Sequence, residues 1–463
     1  MFNSYGFVLF FLPVVIALYY IGNRIKPVCG KVILILSSLL FYSYGRTDML
    51  KYLGISMLVN YVFALLINKK LISNRLMLGF PVALNVGLLI YFKYTDFFLS
   101  TIGNMSGIEF KPYILVLPLG ISFYTFQQIA YIVAVNKDEI RKVSLIDYCC
   151  YILYFPKIIM GPLMEPVDFM SQINDGTRKK IDIDNIAKGV KIFSLGLIKK
   201  ALFADAYSRA VVWIYGNLNE AMALDIVFLC LFYTFEIYFD FSGYSDMAVG
   251  VSTMLNIDLP INFDSPYKAL SIRDFWKRWH ISLTKFLTKY IYIPLGGSRK
   301  GKIFTYVNVM IVFLISGLWH GANWTFVLWG VLHGLLSCFD RWSEPFAVKV
   351  LKPVRWFLTF AAVNILWLLF SAESISQWGR MLERMVKTSG LNLLSAASLP
   401  DGMLGFMNMI MFIILTFIIL LIPQNNYKTK DKLNAFYLVL ASLSFIWGVL
   451  CLGNESTFVY FGF

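Results

Sequence analysis

Asp240-Phe-Ser-Gly-Tyr-Ser-Asp246, Phe275-Trp-Lys-Arg-Trp-His280, Tyr292-Ile-Pro-Leu-Gly-Gly297 and Gly317-Leu-Trp-His-Gly-Ala-Asn-Trp-Thr-Phe326 lie within one stretch that ends at Leu332-His-Gly334. All three histidines, His280, His320 and His333, fall inside it. Long apolar segments flank it on both sides. Polar groups at membrane depth cost free energy unless they are satisfied or used, so chemistry is expected here.

Working outward, the chain has 463 residues, of which 58% are hydrophobic and 15% charged. That excludes an ordinary soluble domain and implies a polytopic α-helical membrane protein forming one domain over 1–463. The first apolar run, about Phe7 to Ile21, lacks a basic leader and a small-residue cleavage site, which predicts a retained helix. The net charge of +14 reads as basic cytoplasmic loops. Nucleic-acid binding is disfavoured, because the lysines and arginines alternate with apolar spans. The six cysteines form no CxxC pair and read as small buried hydrophobes.

Basic loops at 22–31, 68–75 and 137–142 alternate with poorer turns at 45–50 and 94–112. This predicts an outside N-terminus and spans near 5–21, 31–45, 51–67, 76–92 and 113–135. Segment 145–165 is broken by Pro156, Gly161 and Pro162. It reads as re-entrant, the alternative being a full helix kinked at Pro156. Segment 187–215 either lies at the interface or crosses with its lysines snorkelling.

A span at 224–239 leads into the polar stretch. Between Phe263 and Lys302, nine basic residues face two acidic ones, which predicts cytoplasmic amphipathic helices at the headgroup level. A hairpin of 303–318 and 322–339 carries His320 at its turn. Spans at 354–371, 403–422 and 434–452 follow, leaving the C-terminus outside.

A deep histidine can serve as a general base near neutral pH, and His320 fits that role. Gly317 and Gly321 would let substrate approach the backbone, with Trp319 and Trp324 as walls. A packing histidine is the equal alternative. His280 reads as an interfacial residue in an aromatic belt, and His333, thirteen residues beyond His320, as structural. Asp240 and Asp246 either face a polar cavity or cap a helix break at Gly243. The histidine spacings match no compact metal-ligand motif, so no metal site is expected.

Phe239–Ala248, Phe275–Leu283, Tyr290–Gly297 and Gly317–Gly330 closely resemble the membrane-bound O-acyltransferases. Within that family they are similar to the bacterial alginate O-acetyltransferase membrane-subunit branch. Phe2-Asn-Ser-Tyr5, Phe92-Lys-Tyr94, Pro118–Phe123, Thr125–Gln128 and Val459-Tyr-Phe461 share the likeness, which extends over nearly the whole chain.

The resemblance implies a bundle of about 11–12 transmembrane helices, with re-entrant and interfacial helices around a central tunnel and a catalytic core near 113–340. It makes His320 the essential histidine and His280 the second active-site residue, against the interfacial reading. Trp319, Gly321, Asn323, Trp324, Asp240, Ser242, Tyr244, Trp276 and Trp279 become tunnel or supporting residues. It implies no bound cofactor. The donor would be a cytoplasmic thioester, acetyl-CoA or another acyl carrier, for which the basic segment 263–302 is suited.

The implied reaction is O-acetylation of an extracellular or cell-wall polysaccharide. Peptidoglycan O-acetylation and teichoic-acid D-alanylation are the neighbouring readings, and a lipid-linked glycan transporter is the alternative outside the class. The implied setting is the inner, cytoplasmic membrane. The longest loop outside it, about 372–402, resembles neither a glycan-binding domain nor a hydrolase. A separate extracytoplasmic transferase is therefore expected to accept the acyl group; the resemblance implies that it is SGNH-hydrolase-like and that a polysaccharide synthase complex is a further partner. Glu236 and Met164-Glu165-Pro166 depart from the branch pattern.

Overall fold

The structure is a computed structural model that describes residues 2–44, 47–70, 74–108, 117–394, 406–422, 425–453 and 458. Val459–Phe461 lie outside the described residues. The described residues form helices joined by turns and irregular segments, with no strand among them. Among the described residues, five helices are long and apolar enough to cross a membrane: Gly6–Ile25, Thr47–Asn68, Leu78–Ser106, Lys302–His320 and Lys352–Ser371. Pro27–Ser43, Met409–Leu421 and Ala435–Leu450 are shorter apolar helices. This is an all-α, multi-pass membrane protein.

The chain divides into two compact units, one of Met1–Leu195, Tyr244–Pro260 and Lys430–Leu452, the other of Gly196–Gly243, Ile261–Thr429 and Gly453–Phe463. In the first, Leu12–Ile25 and Pro27–Ser43 form a tight hairpin. Pro27 starts the second helix, where its missing N–H costs nothing. Leu50–Asn68 and Asn74–Ser106 are joined by a reciprocal amide pair. Asn60 donates to Asn85 at 3.2 Å, and Asn85 donates back at 2.6 Å. Such polar pairs hold helices together where lipid offers no hydrophobic drive. The helix expected at 76–92 continues unbroken to Ser106, so much of the predicted turn 94–112 is helical.

Segment 145–165 is not a kinked full helix. Its helix, Leu145–Leu153, stops before Phe155 and Pro156, and the protein satisfies the released polar groups. The Phe155 amide donates to Ser38 at 3.1 Å. Lys157 donates to Gln127 and to the Tyr151 carbonyl, both at 2.5 Å. Tyr151 in turn donates to the Met164 carbonyl at 2.8 Å.

The lysines of 187–215 do not all snorkel. Lys191 is buried and donates to the Lys432 carbonyl at 2.9 Å, and Lys188 pairs with Asp431 at 2.7 Å. In the second unit, Lys199–Ala204 forms a π-helical turn between the helices Ile183–Ile198 and Asp205–Gly216. Its Lys200 is buried between two carboxylates.

The helix Ala223–Met254 runs straight through the polar motif, with no break at Gly243 for Asp240 to cap. A Cβ at Gly243 would lie 2.8 Å from the Gly196 carbonyl oxygen, so the glycine permits close helix packing. The segment expected to hold amphipathic helices forms two short helices, Ile272–Arg278 and Ile281–Leu287. They bury Phe275, Trp276, Leu283, Phe286 and Leu287 within the protein. The loop near 372–402 holds the helix Ile375–Lys387. Its Arg384 ties it down by donating to the carbonyls of Leu218, Asn219 and Ala221 at 2.8–3.0 Å.

Candidate active site

The candidate site lies in the second unit and begins with the hairpin of Lys302–His320 and Trp324–Ala347. Glycines set its closeness. A Cβ at Gly317 would collide with the Phe326 carbonyl, and one at Gly330 would lie 2.5 Å from the Phe313 carbonyl oxygen. A Cβ at Gly321 would enter the Phe326 ring. These glycines admit neighbouring protein, not a substrate as the sequence reading expected.

His320 is the last residue of the first arm. Asn323 caps the second arm by accepting from the Thr325 amide at 3.0 Å, and donates its own amide to the Glu373 carbonyl at 2.8 Å. Asn323 therefore positions the turn that carries His320. Trp324, expected as a wall beside His320, is exposed. Trp329 and Phe370 take that place, edge-on at 5.2 and 5.3 Å between ring centroids. The Trp319 ring completes the surround at 4.9 Å.

His280 is fully buried, away from any interface belt. It sits between Ile272–Arg278 and Ile281–Leu287 with φ +44° and ψ 51°. Left-handed backbone in a non-glycine residue is uncommon, so the surrounding packing holds His280 in place. The Phe241 ring meets the imidazole edge-on at 4.7 Å, and the Trp319 ring lies 6.1 Å away. Trp319 thus contacts both candidate histidines. Neither ring nitrogen of His280 has a hydrogen-bond partner among the described residues. Buried polar atoms are seldom left so, which sets this imidazole apart from an ordinary packing residue.

His333 differs at one nitrogen: its Nε2 has no partner among the described residues, but its Nδ1 does. Trp276 donates to its Nδ1 at 3.2 Å, and the Trp329 ring packs on it at 4.7 Å. Trp279 stacks on Phe275 at 5.5 Å and packs on Trp367 at 4.9 Å, forming the wall behind this cluster.

Asp240 faces a cation. Lys200 donates to Asp240 at 2.7 Å and forms an ion pair with Asp205 at 2.9 Å, with all three side chains no more than 6% exposed. The π-turn advances the helix by one residue, which sets Lys200 beside Asp205; such turns are frequent at functional sites. Glu236, one helical turn before Asp240, is also buried. Ser242 is buried as well, its hydroxyl without a partner among the described residues. Tyr244 belongs to the first unit, where it packs on Phe2 at 4.9 Å.

Residues 39–377 match the model of the MBOAT, or membrane-bound O-acyltransferase, family. The chain belongs to that family. The acyltransferase is 37% identical over 426 residues to the peptidoglycan O-acetyltransferase of Helicobacter pylori, covering 85% of this chain and 81% of the relative. It is 36% identical over 418 residues to a probable alginate O-acetylase of Pseudomonas aeruginosa, covering 87% and 78%. A teichoic acid D-alanyltransferase of Streptococcus thermophilus is 26% identical over 291 residues, covering 56% and 69%. The chain is an enzyme, an acyltransferase, and the transporter alternative falls away.

In this acyltransferase, sequence reasoning missed Lys200, Asp205, Trp329, Trp367 and Phe370. A lysine in an apolar helix was a usable signal for Lys200. Phe370 carries none, since it reaches His320 only through the packing of Lys352–Ser371.

Proposed function

We propose that this enzyme moves an acetyl group from a cytoplasmic thioester to hydroxyl groups of a cell-envelope glycan. His320 acts as base, with His280 beside the reacting groups. The observation that carries the reading is the His280–Trp319–His320 cluster, in which one buried imidazole has both nitrogens unpartnered among the described residues. Acceptance of the hydroxyl proton by His320 would let the oxygen attack the thioester carbonyl. A C–O bond forms, the C–S bond breaks, and the proton passes to the departing thiolate.

A second feature supports a thioester donor. A cavity of about 260 Å³ is lined by Trp276, Thr284, Phe313, Ser316 and Ser337, together with Arg273, Lys277 and Arg341. Arg273 pairs with Glu344 at 2.8 Å, while the Lys277 and Arg341 side chains form no ion pair among the described residues. Acetyl-CoA or an acyl carrier would offer phosphate to those cations and a narrow thiol arm to the hydroxyl-lined throat. Ser316 stands one helical turn before His320 on the same helix.

The acceptor class follows the two relatives at 36–37% identity, whose names specify peptidoglycan and alginate O-acetylation. D-alanylation is the weaker reading, resting on 26% identity over 56% of this chain. An extracytoplasmic SGNH-hydrolase-like transferase would complete delivery to the polymer, beside a polysaccharide synthase. The proposed setting is the inner membrane, with both termini outside.

Glycan O-acetyl analysis of a deletion strain, complemented with the wild type or with His320→Gln, tests the reading. Loss of O-acetyl groups with restoration by the wild type alone is expected. Unchanged O-acetylation in the deletion strain would overturn it. Purified protein that acetylates the polymer with only a thioester present would remove the need for a partner.

A further inference from the structure

The first unit carries an apolar groove of about 600 Å³ that has no part in the acyl-transfer chemistry. One wall is Leu12, Ile16 and Tyr20 on the first helix, the opposite wall Val190 and Phe193, and Phe445 closes one side. Pro13 and Ala17 leave the floor shallow, and Arg24 stands at one end. The wall helix lies within Gly6–Ile25, a candidate membrane span, so the open side of the groove faces hydrocarbon.

We propose that this groove holds one acyl chain of a phospholipid whose phosphate sits on Arg24. Three observations fix the occupant. From Leu12 to Arg24 the helix rises about 18 Å, close to the roughly 15 Å depth of one leaflet's hydrocarbon, so a single chain fits end to end. The Arg24 side chain is exposed and makes no ion pair or hydrogen bond among the described residues. It lies in the basic stretch Arg24–Lys31 that ends a span, at the level where lipid phosphates occur. A planar guanidinium without a partner matches a phosphate oxygen pair. The one other polar group along the apolar wall, the Tyr20 hydroxyl, is already committed to the Met254 carbonyl at 2.7 Å.

A chain taken from the bilayer gains little by leaving one apolar medium for another, so fit and the phosphate contact must decide retention. The bound lipid would then tie Leu12–Ile25 to the Val190 and Phe193 side chains within the first unit.

The test uses the full-length chain in mild detergent, with phosphatidylglycerol and diacylglycerol as probes and native mass spectrometry as readout. The wild type should retain one phosphatidylglycerol and gain thermal stability from it. Arg24→Gln should reduce phosphatidylglycerol retention about tenfold or more, to the level of diacylglycerol. Ala17→Trp, which fills the floor, should lose both lipids while remaining monodisperse. An Arg24→Gln chain that holds phosphatidylglycerol as the wild type does would overturn the assignment. So would a monodisperse Ala17→Trp chain that still retains it. If Ala17→Trp fails to fold, the Arg24→Gln comparison decides alone. Acyl transfer plays no part in the readout, so failure here leaves the catalytic reading untouched.

Discussion

Trp276 donates its indole N–H to Nδ1 of His333 at 3.2 Å. An acceptor at Nδ1 in a neutral ring puts the remaining proton on Nε2, so His333 is held in one tautomer. The same indole borders the cavity assigned to the donor. His333 thereby braces a wall of that cavity.

His333→Ala should leave the Trp276 N–H buried and unpaired, costing about 1–3 kcal/mol of stability. Activity per folded molecule should stay near that of the wild type. Measuring acyl transfer normalised to monodisperse protein separates the two effects, and a large loss of normalised activity would move His333 into the reaction.

His320→Gln should behave in the opposite way. The amide keeps approximate size and hydrogen bonding, yet cannot take a proton near neutral pH. A loss of roughly 10²–10⁴ in rate is expected with normal membrane insertion. Turnover within tenfold of the wild type by well-expressed His320→Gln protein would refute the base assignment.

His280→Ala should impair transfer with a smaller stability cost than His333→Ala, because no described polar partner is stranded. His280→Asn, which restores a hydrogen-bonding group, should recover part of the activity. Equal failure of both variants in expression, with normal activity of what folds, would assign His280 to the scaffold.

Lys200→Met should be among the most damaging changes outside the histidine cluster. It strands the Asp205 and Asp240 carboxylates, both no more than 6% exposed, at a cost of about 3–5 kcal/mol. Adding Asp205→Asn and Asp240→Asn to Lys200→Met should recover expression. Thermal unfolding in detergent measures this, and no gain in the triple variant would show that the ion cluster is not what the fold requires.

Gly317→Val should break the hairpin that carries His320, since any Cβ there meets the Phe326 carbonyl. Overpacking of this kind costs about 1–3 kcal/mol or more. Expression and activity should fall together; a stable, inactive Gly317→Val protein would return that glycine to substrate access.

The sequence by itself determined the membrane class, most helix positions and the stretch that holds the histidines. Those features are local: apolar run length, charge between runs, and prolines at 156 and 162. Tertiary packing alone decided the uses of individual residues. Lys200 and Asp240 are 40 positions apart and meet because a π-turn and a long helix pack side by side. His320 packs against Phe370, fifty residues away, while Trp324, four residues away, is exposed. Helical periodicity sends residues across a turn to different faces, and a glycine's open space is claimed by whichever element arrives there. Gly317 illustrates the limit: its freedom is visible in the sequence, but only the second arm of the hairpin shows what occupies it.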